Sequence, residues 1–177
     1  MDAFRLDAGR CILRPFEDGD IPNVAAHANN RKIWLNLNDR FPYPYSMDDA
    51  RSWVRMQQAA GPEATHFAIV VEGRAIGGIG FHRLADVQRH SAELGYWLGE
   101  TFWGRGIASA AARTFADYAL ELPDLARLEA NVFEWNPASA RVLENAGFVR
   151  EGTLRRSAIK DGEIIDRWMY AYVVDGG

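Results

Sequence analysis

The segment from Gly106 to Glu121 most constrains the fold of this 177-residue chain, because its apolar positions follow a helical period and most of them are alanine. Apolar residues recur every four positions with further alanines beside them, and polar residues fall on another side. We expect an amphipathic helix whose small side chains let its backbone lie close against a sheet. The apolar stripe comprises Ile107, Ala108, Ala111, Ala112, Phe115, Ala116 and Ala119.

The loop "WGRG" precedes this helix and follows a candidate strand, "AELGYWL", that ends at Leu98. A strand, loop and helix in this order present free backbone N–H groups and the positive end of the helix dipole, which suit a phosphate. Gly104 and Gly106 allow a ligand to approach the backbone, and Arg105 could add a charge-assisted contact. The segment alone fits both a phosphate site and an ordinary helix start.

Two familiar phosphate-binding loops do not match this segment. The G-x-x-x-x-G-K-[ST] loop needs a Gly-Lys pair, and neither of the two lysines, Lys32 and Lys160, follows a glycine. The dinucleotide fingerprint needs a glycine or alanine where Ser109 stands. Glu129 lies at the offset of the acid that binds a ribose in that fingerprint, but a single acid at this distance is weak support.

The remaining patterns predict one α/β (α+β) domain over residues 1–177. A strand and two helices come first, followed by a hairpin, a strand, the alanine-striped helix, a strand, a helix and a second hairpin. Ser46 with Asp49 resembles a capping box, and Asn136 with Pro137 marks the start of the last helix. We therefore expect a mixed, largely antiparallel sheet of six to seven strands flanked by about four helices.

Composition limits the function classes. The net charge is −4 and basic residues form no run, so we expect no nucleic-acid partner. No stretch approaches 18 consecutive apolar residues, so we expect a cytoplasmic protein without a membrane partner. Cys11 is the only cysteine, and the four histidines lack metal-ligand spacing, so we predict neither an intrachain disulfide nor a metal site.

Four motifs in order along the chain resemble the GNAT acetyltransferase superfamily, and within it the branch of the ribosomal-protein N-terminal acetyltransferases. They are "LRPFEDGD", "AELGYWL" with the following "WGRGIA", "NPASARVLENAGF" and "KDGEIIDRWMYA". The resemblance covers essentially the whole chain and implies a GNAT-like fold, an acetyl-CoA co-substrate and an amine acceptor. Dimers are common in this branch, so a homodimer is one expected assembly.

The resemblance also implies where acetyl-CoA binds. The loop and helix start would hold the pyrophosphate through backbone amides, and the preceding strand would separate from its neighbour so that the pantetheine arm lies in the gap. Asn136 would flank the thioester, and Asn131 could orient the acyl group or the pantetheine. The full set of predicted cofactor residues is Tyr96, Trp97, Leu98, Trp103, Gly104, Arg105, Gly106, Ile107, Ala108, Ser109, Asn131 and Asn136.

The residues favour direct transfer of the acetyl group, because no Cys/His pair or G-x-S-x-G elbow supplies an acyl-enzyme nucleophile. Direct transfer needs a base for the amine and a donor for the departing thiolate. We predict Glu93 as the base, with His82 and His90 as rivals, and Ser139 as the donor, with Asn136 beside it. Many GNAT enzymes have a tyrosine where this chain has Leu143, which leaves the acid role to Ser139, to water or to nothing.

The acceptor site is predicted from aromatic residues near acids, which suit an amine cation, although core packing explains the same rings. We predict that Trp34, Phe41, Tyr43 and Tyr45 contact the acceptor. The acceptor is a peptide or protein N-terminus or a small-molecule amine. A non-catalytic acyl-CoA-binding regulatory domain is the alternative function, and the leucine at position 143 is its main support.

Overall fold

The structure, a computed structural model, describes residues 4–61 and 65–173. Its strands are β1 (Leu6–Asp7), β2 (Ile12–Arg14), β3 (His66–Val71), β4 (Arg74–Arg83), β5 (Ser91–Leu98), β6 (Arg127–Phe133), β7 (Val149–Lys160) and β8 (Glu163–Val173). Its helices are α1 (Ile21–Ala28), α2 (Arg31–Trp34), α3 (Met47–Ala60), α4 (Ile107–Leu120) and α5 (Pro137–Asn145). Short 3-10 helices at Asp18–Asp20, Asp86–Gln88 and Glu100–Phe102 lie in connections of the described ranges.

All eight strands form one sheet in the order β1-β2-β3-β4-β5-β6-β8-β7. Every neighbouring pair is antiparallel except β5 with β6, which is parallel and joined through α4. The predicted mixed, largely antiparallel α/β fold is thus confirmed. The sheet has eight strands rather than six or seven, and five helices replace the expected four. The additional elements are β1 and α2, of two and four residues, which are too short to produce a periodic pattern.

The two faces of the sheet are covered differently. On one face α4 and α5 pack against a core that includes Phe67, Phe81 and Leu128. The apolar stripe of α4 is buried there except for the partly buried Ala108, as its period predicts, and the small side chains allow close approach to the strands. On the other face α1 and α3 cover a second core around Phe16, Val54 and Ala68.

An ion pair at the start of α1 fixes this helix to β2. Asp20 is 3% exposed, and its two carboxylate oxygens accept hydrogen bonds from the Arg14 guanidinium at 2.7 and 2.8 Å. The backbone N–H of Glu17 donates to the same carboxylate at 2.8 Å. The hydrogen bond to Asp20 raises the pKa of Arg14, so the guanidinium stays charged.

We predict that Asp20→Ala lowers the free energy of unfolding by about 3–5 kcal/mol, because it leaves a partly buried guanidinium without its partner. Glu17→Gln is the matched control. The Glu17 carboxylate is 65% exposed and 3.5 Å from Arg14, so its loss should cost less than about 1 kcal/mol. Chemical denaturation measures both values, and equal losses in the two variants would contradict this role for Asp20.

Candidate active site

The site begins where β5 separates from β6. Their parallel register covers only Ser91–Glu93 against Arg127–Glu129, although both strands continue further. Beyond Glu93 the edge of β5 that faces β6 has no strand partner, and its backbone groups are open to a ligand. The gap therefore lies in the middle of the sheet, between two strands that diverge from a shared base.

A cavity of about 470 Å³ extends from this gap to the start of α4. The last residues of β5, the loop before α4 and one side of α5 form its walls, and α2 covers it. The lining residues are Lys32, Ile33, Asn36, Leu37, Tyr96, Trp97, Leu98, Phe102, Trp103, Gly104, Arg105, Gly106, Ile107, Ala108, Ser109, Asn136, Ala138, Ser139, Arg141, Val142 and Asn145.

The glycine loop has the conformation that an anion site requires. Gly104 and Gly106 both have φ of +72°, in the left-handed region that favours glycine, and Gly106 is the N-cap of α4. No backbone N–H from Gly104 to Ser109 has an acceptor among the residues that the structure describes. These donors and the positive end of the α4 dipole face the cavity, so they can hold a phosphate.

Neighbouring groups fix the loop. The Trp103 indole donates to the carbonyl of Leu98 at 2.7 Å, which ties the loop to the end of β5. Arg10, from the turn between β1 and β2, donates to the carbonyl of Arg105 at 3.3 Å. The Arg105 guanidinium lies 5.3 Å from the centre of the Phe102 ring. The loop conformation is therefore set before a ligand binds.

The charge of the cavity is opposite in sign to that of the chain. Lys32, Arg105 and Arg141 line it, and no Asp or Glu is among its described lining residues. Lys32 contacts Glu100 outside the cavity, and this hydrogen bond, with a second from Asn30, lowers the pKa of Glu100. A chain of net charge −4 thus keeps a basic cavity, which suits a ligand with several phosphates.

Three polar side chains meet where α5 reaches β5. The Tyr96 and Ser139 hydroxyls are hydrogen bonded at 2.6 Å, and the Asn136 side chain accepts from the Ser139 N–H at 3.2 Å as the N-cap of α5. Burial raises the pKa of Tyr96, so the phenol stays protonated and can donate. When Tyr96 donates to Ser139, the Ser139 hydrogen is free to point into the cavity.

Glu93 lies on the opposite face of β5 from Tyr96 and does not line the cavity. It shares its face with Gly95 and Trp97, and Trp97 packs against the core under α1 and α3. The Asn131 side-chain amide donates to the Glu93 carboxylate at 3.1 Å. This bond crosses the base of the gap, because Asn131 is two residues beyond the last paired residue of β6.

Comparison with known proteins agrees with this geometry. The family model for the acetyltransferase (GNAT) domain matches residues 10–149. The chain belongs to the GNAT acetyltransferase family. It is 36% identical to an uncharacterised N-acetyltransferase of Bacillus licheniformis over 92% of each chain. It is 31% identical to the ribosomal-protein-serine acetyltransferase of Escherichia coli over 81% of this chain and 82% of that protein.

A solved structure, Mycobacterium smegmatis RimJ in complex with CoA-disulfide, has the same fold. Its TM-score is 0.80 at 26% identity, covering 96% of this chain and 84% of that chain. The predicted family and an acetyl-CoA-dependent acyltransferase activity are thus confirmed. In this acetyltransferase the free N–H groups, the open space at Gly104 and the basic lining fit the pyrophosphate end of acetyl-CoA.

Most of the predicted cofactor residues of the acetyltransferase line the cavity. All of them line it except Asn131, which lies at the base of the gap beside Glu93. Ser139 and Asn136, two of the three predicted catalytic residues, also line it. Their roles stay predictions, as do those of Glu93 and Asn131, which lie at the other side of the gap.

The four predicted acceptor residues do not line the cavity. Tyr45 is 7% exposed in the second core, where its ring packs 4.9 Å from that of Phe41. The Trp34 and Tyr43 rings lie 5.8 Å apart, and the ammonium of Lys160, itself 1% exposed, lies 3.9 Å from the centre of the Trp34 ring. Contact of these four with an acceptor stays a prediction, and Lys160 already occupies one face of Trp34.

Sequence reasoning missed several lining residues, among them Lys32 and four residues of α5. In α5, Arg141 and Val142 come three and four residues after Ala138, and Asn145 comes three residues after Val142. The helical period therefore marks these four as one side of the helix, opposite the buried Leu143. Lys32 had no such signal, since α2 is a single turn. Leu143 is fully buried, and the hydroxyl nearest Ser139 comes instead from Tyr96 on β5.

We predict that Gly104→Ala raises the Kd of CoA about tenfold or more, which corresponds to about 1.4 kcal/mol. The new methyl group would point into space where nothing lies within 4 Å and where we expect the cofactor to approach. Calorimetry measures the affinity.

Gly73→Ala is the matched control for this variant. Gly73 has a φ of +76° and equally open surroundings, but it does not line the cavity. Both variants should lose about 1–2 kcal/mol of stability from backbone strain. Only Gly104→Ala should lose affinity, and an equal CoA affinity in both variants would contradict a close approach of the cofactor at Gly104.

Proposed function

We propose that this acetyltransferase moves the acetyl group directly from acetyl-CoA to a primary amine at a peptide or protein N-terminus. The observation that carries the proposal is the placement of Glu93 and Ser139 on opposite sides of the β5–β6 gap. The cofactor cavity lies on the Ser139 side. An amine that approaches from the Glu93 side meets the acetyl group through the gap.

In the proposed reaction, the base and the hydrogen-bond donor to the thiolate act from opposite sides of the β5–β6 gap. The amine nitrogen bonds to the acetyl carbon, and the Glu93 carboxylate, directly or through a water, takes the proton from that nitrogen. The carbon–sulfur bond then breaks, the Ser139 hydroxyl donates a hydrogen bond to the departing thiolate, and the thiolate takes its proton from solvent. Tyr96, which stays protonated, keeps Ser139 oriented. Asn131 holds Glu93 in place through its amide.

Direct transfer also agrees with the state of the nucleophilic groups. The Cys11 thiol is 5% exposed in the core, and burial raises its pKa to about 11, with a further contribution from Asp7. The Ser139 hydroxyl has Tyr96 as its partner rather than a base. Neither group is therefore activated to carry an acetyl group, which supports a ternary complex.

The acceptor class is supported by the relatives. One of them is named a ribosomal-protein-serine acetyltransferase and another a ribosomal protein uS5 alanine N-acetyltransferase. An N-terminal amine of a ribosomal protein is therefore the first acceptor to test, and a cytoplasmic location goes with it. An L-amino acid N-acetyltransferase is also among the relatives, so small amines belong in the same assay. The structure describes no helix long and apolar enough to cross a membrane.

We expect Glu93→Gln to lower kcat about 10²–10⁴-fold, because the variant keeps the shape of the side chain but loses the base. The KM for acetyl-CoA should stay unchanged, because Glu93 does not line the cofactor cavity. Glu129→Gln is the matched control, since Glu129 is the register partner of Glu93 on β6 but is ion-paired with Arg127. Steady-state acetyl transfer to N-terminal peptides tests this, and full activity of Glu93→Gln would show that another group is the base.

We expect Ser139→Ala to lower kcat about 10²-fold through loss of the hydrogen bond to the departing thiolate, and Tyr96→Phe to lower it about tenfold through misorientation of Ser139. Tyr170→Phe is the control for the second variant, because Tyr170 is a buried tyrosine whose hydroxyl donates to Glu144 at 2.9 Å, away from the cavity. The assay is again acetyl transfer at saturating acetyl-CoA. A Ser139→Ala variant with the wild-type kcat would mean that the thiolate leaves without this donor.

The same assay distinguishes the proposed function from the non-catalytic alternative. The support for that alternative was the missing tyrosine at position 143, but Leu143 is part of the core and Tyr96 supplies a hydroxyl at Ser139. Tight binding of CoA without acetylation of any amine in the panel would favour the regulatory function.

A further inference from the structure

Gly95 is an exposed glycine on a central strand of the sheet. Its φ lies outside the left-handed region, and a methyl group built on it would have no atom within 4 Å. Neither the backbone conformation nor the packing of the fold therefore requires glycine at this position. A strand residue with a side chain would even have a higher β propensity. The open space above Gly95 is thus a feature that the fold itself does not explain.

The glycines of β4 differ from Gly95, because neighbouring atoms fill the space beside them. A methyl group on Gly77 would lie 2.3 Å from the carbonyl oxygen of Trp97, and one on Gly80 would lie 2.2 Å from the His66 ring. Gly78 is covered by the Trp97 indole, at 3.0 Å. These three glycines make room for neighbouring parts of the chain. In contrast, no described residue fills the space beside Gly95.

The surroundings of Gly95 suit a ligand that approaches the gap. Gly80, Gly78 and His82 of β4 lie opposite Gly95, Trp97 and Glu93, respectively. The Trp97 and His66 rings cover the β4 glycines, so the space above Gly95 is closed on that side. On its other side the sheet is open, because β6 has separated from β5 after Glu129. Glu93, the proposed base, is the neighbour on the same face.

A second observation points to a ligand with N–H groups. The Asn131 amide nitrogen donates to Glu93, but the amide oxygen of Asn131 is buried and has no hydrogen-bond partner among the described residues. A buried acceptor without a partner is rare in native proteins and carries a free-energy cost. Next to a carboxylate at the base of the gap, it is a site for a donor such as an amine or a water that the amine contacts.

We propose that the space above Gly95 is the slot that admits the acceptor's amino group and its adjoining carbon, between Glu93 and Trp97. Gly95 is then a specificity-determining residue, since a side chain there fills the slot. The Glu93 carboxylate and the Asn131 oxygen accept the hydrogen bonds of the amine or of its bridging water. This inference rests on the proposed acetyl transfer and identifies where that reaction receives its acceptor.

The test compares Gly95→Ala and Gly95→Val with the wild-type enzyme. Peptides with a free N-terminal serine or alanine, and a panel of small primary amines, serve as acceptors. We expect kcat/KM for the acceptor to fall about tenfold in Gly95→Ala and about 10²-fold or more in Gly95→Val, since displacement by about 1 Å costs that much. The Kd of CoA, from calorimetry, should change less than about twofold, because Gly95 does not line the cofactor cavity.

Gly152→Ala and Gly152→Val are the matched controls. Gly152 is an exposed strand glycine of β7 whose φ lies outside the left-handed region, and a methyl group built on it would also have no atom within 4 Å. Unlike Gly95, it is not at the gap. All four variants should keep the wild-type Tm or exceed it. The controls should also keep the wild-type kcat/KM.

The outcomes separate this inference from the proposed function. If the wild-type enzyme acetylates no amine, the proposed function fails and the slot fails with it. If the wild type is active and Gly95→Val is equally active, the slot alone is overturned. A Gly95→Val variant whose Kd for CoA rises in parallel with the loss of activity also overturns the slot, because the space then belongs to the cofactor.

Discussion

The separation of β5 from β6 is the constraint on which the rest of the site depends. Three residues of parallel register hold the two strands together up to Glu93 and Glu129, and beyond that point the edges of β5 and β6 that face each other have no strand partner. Unpaired donors and acceptors in the middle of a sheet cost free energy unless a ligand or water meets them. The same loss of pairing that weakens the sheet thus creates a place where an extended ligand with amide groups can bind. Tyr96 and Ser139 join β5 to α5 at the side of this gap.

The position of the anion site follows from how α4 packs. Its alanine stripe lets the helix lie close to the strands, and the left-handed conformation of Gly106 turns the chain into the first helical turn. The helix therefore begins next to the end of β5, with its free N–H groups at the mouth of the gap. Because the packing face and the loop conformation are independent of a ligand, the anion site is formed by the fold itself.

Long periodic segments and end signals could be predicted from the sequence, whereas short elements and tertiary contacts could not. The stripe of α4 and the caps at Ser46 and Asn136 correctly predicted helices, and the glycine loop with its flanking motifs predicted many of the residues that line one cavity. The contribution of α2 was not predictable, since a single turn has no periodicity. The burial of Tyr45 and the position of Lys160 over Trp34 depend on packing between distant segments, for which a single sequence carries no signal.

The alternation of side chains along β5 assigns each side chain to one face of the sheet. Glu93, Gly95 and Trp97 face the side of α1 and α3, whereas Tyr96 faces α5. A slip of one residue would exchange the two sets, so the register between β4 and β5 must be fixed. The close contact of Gly77 with the Trp97 carbonyl contributes to this, because a residue with a side chain does not fit at that position. The glycines of β4 therefore serve the chemistry indirectly, by holding β5 in the one register that puts the carboxylate and the hydroxyl on opposite sides of the gap.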